Sequence, residues 1–213
     1  MEKIIGETRY IFKVGKIEEE EVDALFLWTT QSLDAGDLTF LRIHREAGSV
    51  LAEQTIKAKM KFGVETKEGQ IIPPGRAIIT YAGRLNCYNI IHCVLPNYRI
   101  TKLKKEERIV YLENTLLNSF QLAKSYSDSS KDMSSSITLN SASIQPISSV
   151  IYGNLDKQDY ITFFSYIIKN SPFKKIIFVF ETDEERKIYE DIFFKLTTSL
   201  YERIINKIFK LNF

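Results

Sequence analysis

The sequence predicts an α/β fold, a mixed central sheet with helices on both faces, and three observations carry that expectation. Val22-Asp-Ala-Leu-Phe-Leu-Trp-Thr-Thr30 is mostly apolar, as a strand buried on both faces must be. Short apolar runs alternate along the chain with stretches whose apolar residues recur at threes and fours. Ser141-Ala-Ser-Ile-Gln-Pro-Ile-Ser-Ser-Val-Ile-Tyr-Gly153 reads as a buried strand opening into a small-residue turn ahead of a helix. In open α/β sheets ligands sit at the carboxyl ends of strands, where such a turn exposes backbone N–H groups. A phosphate would suit the turn, and so would a tight connection that binds nothing.

The elements follow in order. Arg9 to Val14 alternates as a strand, closed by Gly15. Glu18 to Glu21 is a run of carboxylates that reads as a solvated loop or helix turn. After the apolar strand, Gln31 to Gly36 is a loop, and Asp37 is placed to cap a helix that stops at Gly48. A second helix runs from Ser49 to about Phe62. Gly63 to Gly75, with Pro73-Pro74, breaks helix and reads as a loop. Strands over Ala77–Tyr81 and Tyr88–Leu95 come next. Lys104 to Tyr126 carries apolar residues at 109, 112, 116, 120 and 123, one helical face. Ser127 to Ser136 reads as a mobile surface loop. Asp156–Asn170 is helical, Lys174–Phe180 a strand, and Asp183–Leu211 a long helix with Ile188, Ile192, Phe193, Leu196, Leu200, Ile204, Ile208 and Leu211 in step.

Composition narrows the function classes. A chain of 213 residues, 44% hydrophobic, can bury one substantial core. Twenty-nine basic against 27 acidic residues leave a net charge of +2, which argues against a nucleic-acid partner. Cys87 and Cys93 lack metal-ligand spacing and fit a reducing compartment. No apolar run is long enough to span a bilayer, and the N-terminus lacks a signal-peptide core. The expectation is an intracellular protein, cytoplasmic or nuclear, with no membrane partner and no cofactor.

Several of these stretches together resemble the macrodomain family, which binds ADP-ribose. Val22-Asp-Ala-Leu-Phe26 is similar to the family's Val-Asp-Ala-Ile-Val strand, and Ile43-His-Arg-Glu-Ala-Gly48 to its Ile-His-Arg-Ala-Ala-Gly helix end. Pro74-Gly-Arg-Ala-Ile-Ile-Thr80, Ala82-Gly-Arg-Leu85 and Ile90-Ile-His-Cys-Val-Leu-Pro96 resemble its paired central strands. Ile147-Ser-Ser-Val-Ile-Tyr-Gly153 is similar to its phosphate loop, usually Ile-Ser-Thr-Gly-Ile-Tyr-Gly. The resemblance implies a three-layer α/β/α fold over residues 1–200, with 201–213 as a C-terminal helical extension. It implies a ligand site built from Thr29, Thr30, Gly36, Asp37, Ser148, Ser149, Val150, Ile151, Tyr152, Gly153 and Phe180. Phe180 has two readings, an aromatic stacked on adenine or ordinary core.

The departures from the family pattern fall on that site. Lys16 stands where the family has an Asp that accepts from the adenine amine. Thr30 replaces the second Asn of Asn-Ala-Ala-Asn, the residue that orients the distal ribose and catalytic water. Trp28 is far larger than the Ala it replaces, and its ring could fill part of the pocket. Only Gly36 remains of a glycine-rich first loop, beside Asp37, whose carboxylate would repel a phosphate. Val150 replaces a Gly.

Neither histidine reads as a general base, because His44 sits on a packing helix face and His92 in a central strand. Three functional readings follow: a divergent macrodomain that binds ADP-ribose, a related nucleotide or an ADP-ribosylated protein without efficient catalysis; an ADP-ribosyl or O-acetyl-ADP-ribose hydrolase with rearranged residues; and a scaffold kept for interactions. Past Leu200 the long C-terminal helix has two readings, a surface for self- or hetero-association that would serve the third, or a segment that folds back on the chain's own core.

Overall fold

The computed structural model describes residues 1–33, 38–67, 69–97, 101–130, 137–147 and 156–211, the side chains of 130 and 199–211 excepted. Nine strands are described: β1 (Glu2–Ile5), β2 (Thr8–Val14), β3 (Ala24–Thr29), β4 (Val64–Thr66), β5 (Gly69–Ile71), β6 (Ala77–Tyr81), β7 (Asn89–Val94), β8 (Ser141–Ile144) and β9 (Lys175–Phe180). The helices are α1 (Leu38–Ala47), α2 (Ser49–Phe62), α3 (Lys105–Ser130), α4 (Lys157–Asn170) and α5 (Asp183–Leu211). Seven strands form one sheet in the order β1-β2-β9-β8-β3-β7-β6, and β4-β5 form a separate hairpin. β2, β9, β8, β3 and β7 are parallel, and the edges β1 and β6 are antiparallel.

The mixed sheet with helices on both faces is the three-layer α/β/α arrangement the sequence predicts. Every residue of β3 and β7 is buried, which accounts for the loss of alternation in their sequences. On one face α3, α4 and α5 cover an aromatic core that includes Phe12, Phe163, Phe164, Phe178 and Phe193. On the other, α1 and the turn Ile17–Glu19 cover an aliphatic cluster of Leu25, Leu27, Ile43, Leu51, Ile90 and Val179.

Several expectations are corrected. β1 is an additional edge strand, and the predicted loop after Gly63 holds the β4–β5 hairpin. β6, resembling a central strand of the family, forms an edge. The acidic run is not solvated throughout: Glu18 and Glu20 are buried and paired with Arg42 (2.8 Å) and Lys13 (2.7 Å). α3 continues through Ser130, and Ser127 is buried, donating to the Ala123 carbonyl and accepting from the Leu139 amide. Residues 131–136 lie outside the described residues. The stripe of α5 holds at Ile192, Phe193 and Leu196, but Ile188 is 55% exposed and Tyr189 beside it is buried instead.

Gly48 separates α1 from α2 at φ 81°, a conformation that favours glycine. The β6–β7 turn closes on this joint. A side chain at Gly83 would begin 2.3 Å from the Ala47 carbonyl oxygen, and Arg84 donates to the Glu46 and Arg45 carbonyls. Both cysteines are free.

Candidate functional site: the crevice between β3 and β8

β8 ends early. Its last residue, Ile144, lies opposite Phe26, while β3 runs on to Thr29 with β7 still paired on its other side. The sheet therefore splits at the carboxyl ends of β3 and β8. The chain leaves β3 toward α1, α2 and the β6–β7 edge, and leaves β8 toward α4 and β9 on the other side. That reversal of direction is the topological switch point at which open α/β sheets bind ligands.

Trp28 spans the floor of the split. Its indole Nε1 donates to the Gln145 carbonyl (2.7 Å), and its ring meets Phe163 edge-on at 6.0 Å. The gap left among Phe26, Leu27, Trp28, Thr39, Ile43, Gln145 and Pro146 is about 10 Å³, room for one water. Nothing that lines it is titratable. Thr29 is 2% exposed, and its carbonyl accepts from the Leu95 amide, so it belongs to the floor. Thr30 is half-buried, its hydroxyl 3.0 Å from that of Ser32. Leu33 then takes φ 53° while buried, strained backbone for a branched side chain. Its amide donates to the Thr30 carbonyl and the Ile72 amide to the Gln31 carbonyl, which pins the chain as it leaves β3.

The predicted site residues divide into three groups. Thr29 and Thr30 stand at the crevice. Phe180 does not: its ring is fully enclosed, stacked on Phe12 at 5.9 Å and tilted against Tyr189 at 5.4 Å, with no free face for a base. Gly36, Asp37, Ser148, Ser149, Val150, Ile151, Tyr152 and Gly153 lie outside the described residues. The helix start that follows them is described, and it is already occupied. Asp156 accepts from the Gln158 and Asp159 amides, Asp159 accepts from the Asp156 amide, and Lys105 pairs with Asp156. The hydrogen bond from Lys105, with those of the amides, holds the Asp156 carboxyl below the usual carboxylate range. An anion before α4 would have to rely on the loop's own amides.

A polar cluster that local sequence did not announce flanks the roof. Arg42 of α1 reaches Glu18 (2.8 Å) and Glu181 (2.9 Å), and it also donates to the Thr39 hydroxyl. These residues are far apart in sequence, so only the fold joins them. Lys16 pairs with Glu19 at 2.9 Å on the surface, and that hydrogen bond raises its pKa. His92 is fully buried with Nε2 2.8 Å from the Thr80 hydroxyl, and burial, with the nearby His44, pushes its pKa down to about 3. A ring so enclosed is no general base. His44 stacks on Phe40 at 4.1 Å, consistent with its packing face. Among the described residues no cluster of three or more His, Cys, Asp or Glu could hold a metal ion, and no helix is long and apolar enough to cross a membrane.

Comparison with known proteins agrees with this architecture. Residues 29–153 match the family model of the Macro domain. The chain is 34% identical over 109 residues to an O-acetyl-ADP-ribose deacetylase of Citrobacter rodentium, over 51% of this chain and 56% of that protein. It is 25% identical over 185 residues to a macro domain-containing protein of Caldanaerobacter subterraneus subsp. tengcongensis, over 85% and 94%. The matched region spans 56% and 63% of the length of two deacetylases it resembles. Its fold follows that of the Oceanobacillus iheyensis macrodomain solved with ADP, with a TM-score of 0.73 at 23% identity over 95% and 97% of the two chains. With the family model matched over more than half its length, the chain belongs to the Macro domain family.

Proposed function

We propose that the protein binds ADP-ribose or a related nucleotide metabolite in the crevice between β3 and β8, without efficient catalysis. The early end of β8 carries this reading, because it opens the sheet at the switch point where this topology takes ligands. The Trp28–Gln145 contact forms the floor, and the ligand rests above it rather than in the one-water gap below. Thr30 offers a hydroxyl at the floor's edge. By the family resemblance, Gly36 and Asp37 are assigned to the ligand, and the amides of Ser148, Ser149, Val150, Ile151, Tyr152 and Gly153 to its phosphates. The enclosed His92, held by Thr80 inside the sheet, supports binding without turnover.

Trp28 is the one tryptophan of the chain, so its emission reads this crevice directly. Titration with ADP-ribose, with AMP and NAD as controls, should change Trp28 fluorescence in step with the heat measured by calorimetry. No heat and an unchanged emission at millimolar ADP-ribose would sink the reading. The similarity to deacetylases favours a second one, hydrolysis of an O-acetyl-ADP-ribose ester. Acetate release by the purified chain, lost in Asp37→Ala, would establish it over binding alone.

A further inference from the structure

On the α1 side of the sheet a half-open cavity of about 340 Å³ lies between the Lys16–Glu19 turn, the end of α1 and the β6–β7 turn. Its charged lining is Lys16, Glu18, Glu19, Arg45, Glu46 and Arg84, three cations and three carboxylates. None of these lines the gap at the crevice floor.

Most of that charge is already matched. Lys16 pairs with Glu19 and Arg45 with Glu46, each at 2.9 Å. Two groups are not fully matched. Glu18 is 7% exposed and its Oε1 accepts from Arg42, but its Oε2 is enclosed with no hydrogen-bond partner. A buried carboxylate oxygen in that state rewards a donor that reaches it. Arg84 is the cation of this lining with no carboxylate partner among the described residues. Its Nε and Nη2 donate to the Glu46 and Arg45 carbonyls at 3.2 and 3.3 Å, which leaves the rest of its N–H fork free.

We propose that this cavity binds a free α-amino acid, with its ammonium on Glu18 Oε2 and its carboxylate on Arg84. The charges decide among ligands. Glu18 has one oxygen to offer, which suits the point donor of an ammonium better than a bidentate guanidinium. A phosphate would meet three carboxylates, and a simple cation would leave Arg84 unmatched. A ligand with both charges on one carbon answers both groups and adds no net charge to a balanced lining. Asn86, also in the lining, can donate to the same carboxylate. Lys16 and Glu19 are both exposed, and a surface pair of that kind opens at little cost. For the ligand's side chain, Leu85 supplies apolar surface. A second, wider cavity shares Leu85 and Asn86 and continues to Cys87 and the exposed Tyr88, a path that suits a branched apolar side chain.

The test is calorimetry of the whole chain with L-leucine, against glycine, L-leucinamide and N-acetyl-L-leucine. Leucine should bind, and glycine more weakly. The amide lacks the carboxylate and the acetyl form lacks the ammonium, so each should bind at least about tenfold more weakly than leucine. Trp28 emission should stay unchanged throughout, because Trp28 lines the other site. Arg84→Gln should weaken leucine by a similar factor and leave the amide as it was, since the amide has no carboxylate for Arg84 to hold. Glu18→Gln should weaken leucine and spare the acetyl form. The analogue series needs no variant, so it decides the matter even if a substitution unfolds the chain. No heat with millimolar leucine, either analogue binding as tightly as leucine, or a change in Trp28 emission overturns the proposal. So does equal weakening of leucine and its amide by Arg84→Gln, which would leave Arg84 only its place at the α1–α2 joint.

Discussion

The two faces of the sheet are built from different chemistry. Under α3, α4 and α5 the rings of Phe12, Phe163, Phe164, Phe178 and Phe193 contact one another almost without a polar group. Under α1 the apolar groups are aliphatic apart from Phe40, and His92, the Arg42–Glu18 pair and Thr39 lie close to them. An aromatic face fixes shape through large contacts that tolerate little change. The α1 face holds its polar groups through a few specific partners, Arg42 on Glu18 and Thr80 on His92, and Thr39 and Ile43 of α1 border the crevice. On the proposed reading, the aromatic face carries most of the stability and the polar groups of the α1 face flank the ligand.

Four measurements can break or sharpen that contrast. The largest effect is expected from Phe178→Ala, which removes a fully buried ring that meets Phe12 at 5.0 Å and Phe164 at 5.2 Å. Denaturant unfolding should show a loss of about 3–5 kcal/mol, with Ile43→Ala on the α1 face costing about 2–3 kcal/mol. Equal losses would erase the distinction.

His92 comes next. Its folded pKa is pushed down to about 3 from an ordinary 6.5, so below pH 6.5 the unfolded chain takes up a proton that the folded one refuses. Stability should be full above pH 6.5 and fall by about 1.4 kcal/mol per pH unit below it. The slope should flatten in His92→Gln, and an unchanged slope would remove His92 as its source.

Arg42→Met should cost about 2 kcal/mol by stranding Glu18, less than a fully buried pair because Arg42 remains a quarter exposed. The double variant with Glu18→Gln should recover most of the loss. If it does not, the pair is not what holds α1 to the Ile17–Glu19 turn. The smallest effect belongs to Trp28→Phe, which deletes the bond to the Gln145 carbonyl for about 1 kcal/mol. The same change opens the crevice floor and should alter the heat of ADP-ribose binding more than it alters stability.

Much of this architecture was legible because local patterns coincide with tertiary ones. The unbroken apolarity of Ala24–Thr29 announced a central strand, and Leu112, Leu116, Phe120 and Ala123 announced the inner side of α3. Ser49–Phe62 and Asp183–Leu211 were bounded correctly from Gly48 and from helical spacing. What escaped depends on distant partners. Glu18 looks like any surface carboxylate until Arg42, 24 positions on, is brought beside it. β1 is too short and charged to show a period, and it exists because β2 offers an edge. At the site, Thr29 and Thr30 could be placed by their position at the carboxyl end of β3. Phe180 could not, since only the neighbouring rings of Phe12 and Tyr189 decide that it has no free face.

The clamp of Gly48, Gly83 and Arg84 on the far end of α1 makes that helix a rigid rod about 15 Å long, fixed at one end and roofing the crevice at the other. A screen for variants that lose ligand should therefore return Gly83 substitutions, although Gly83 lines no part of the crevice.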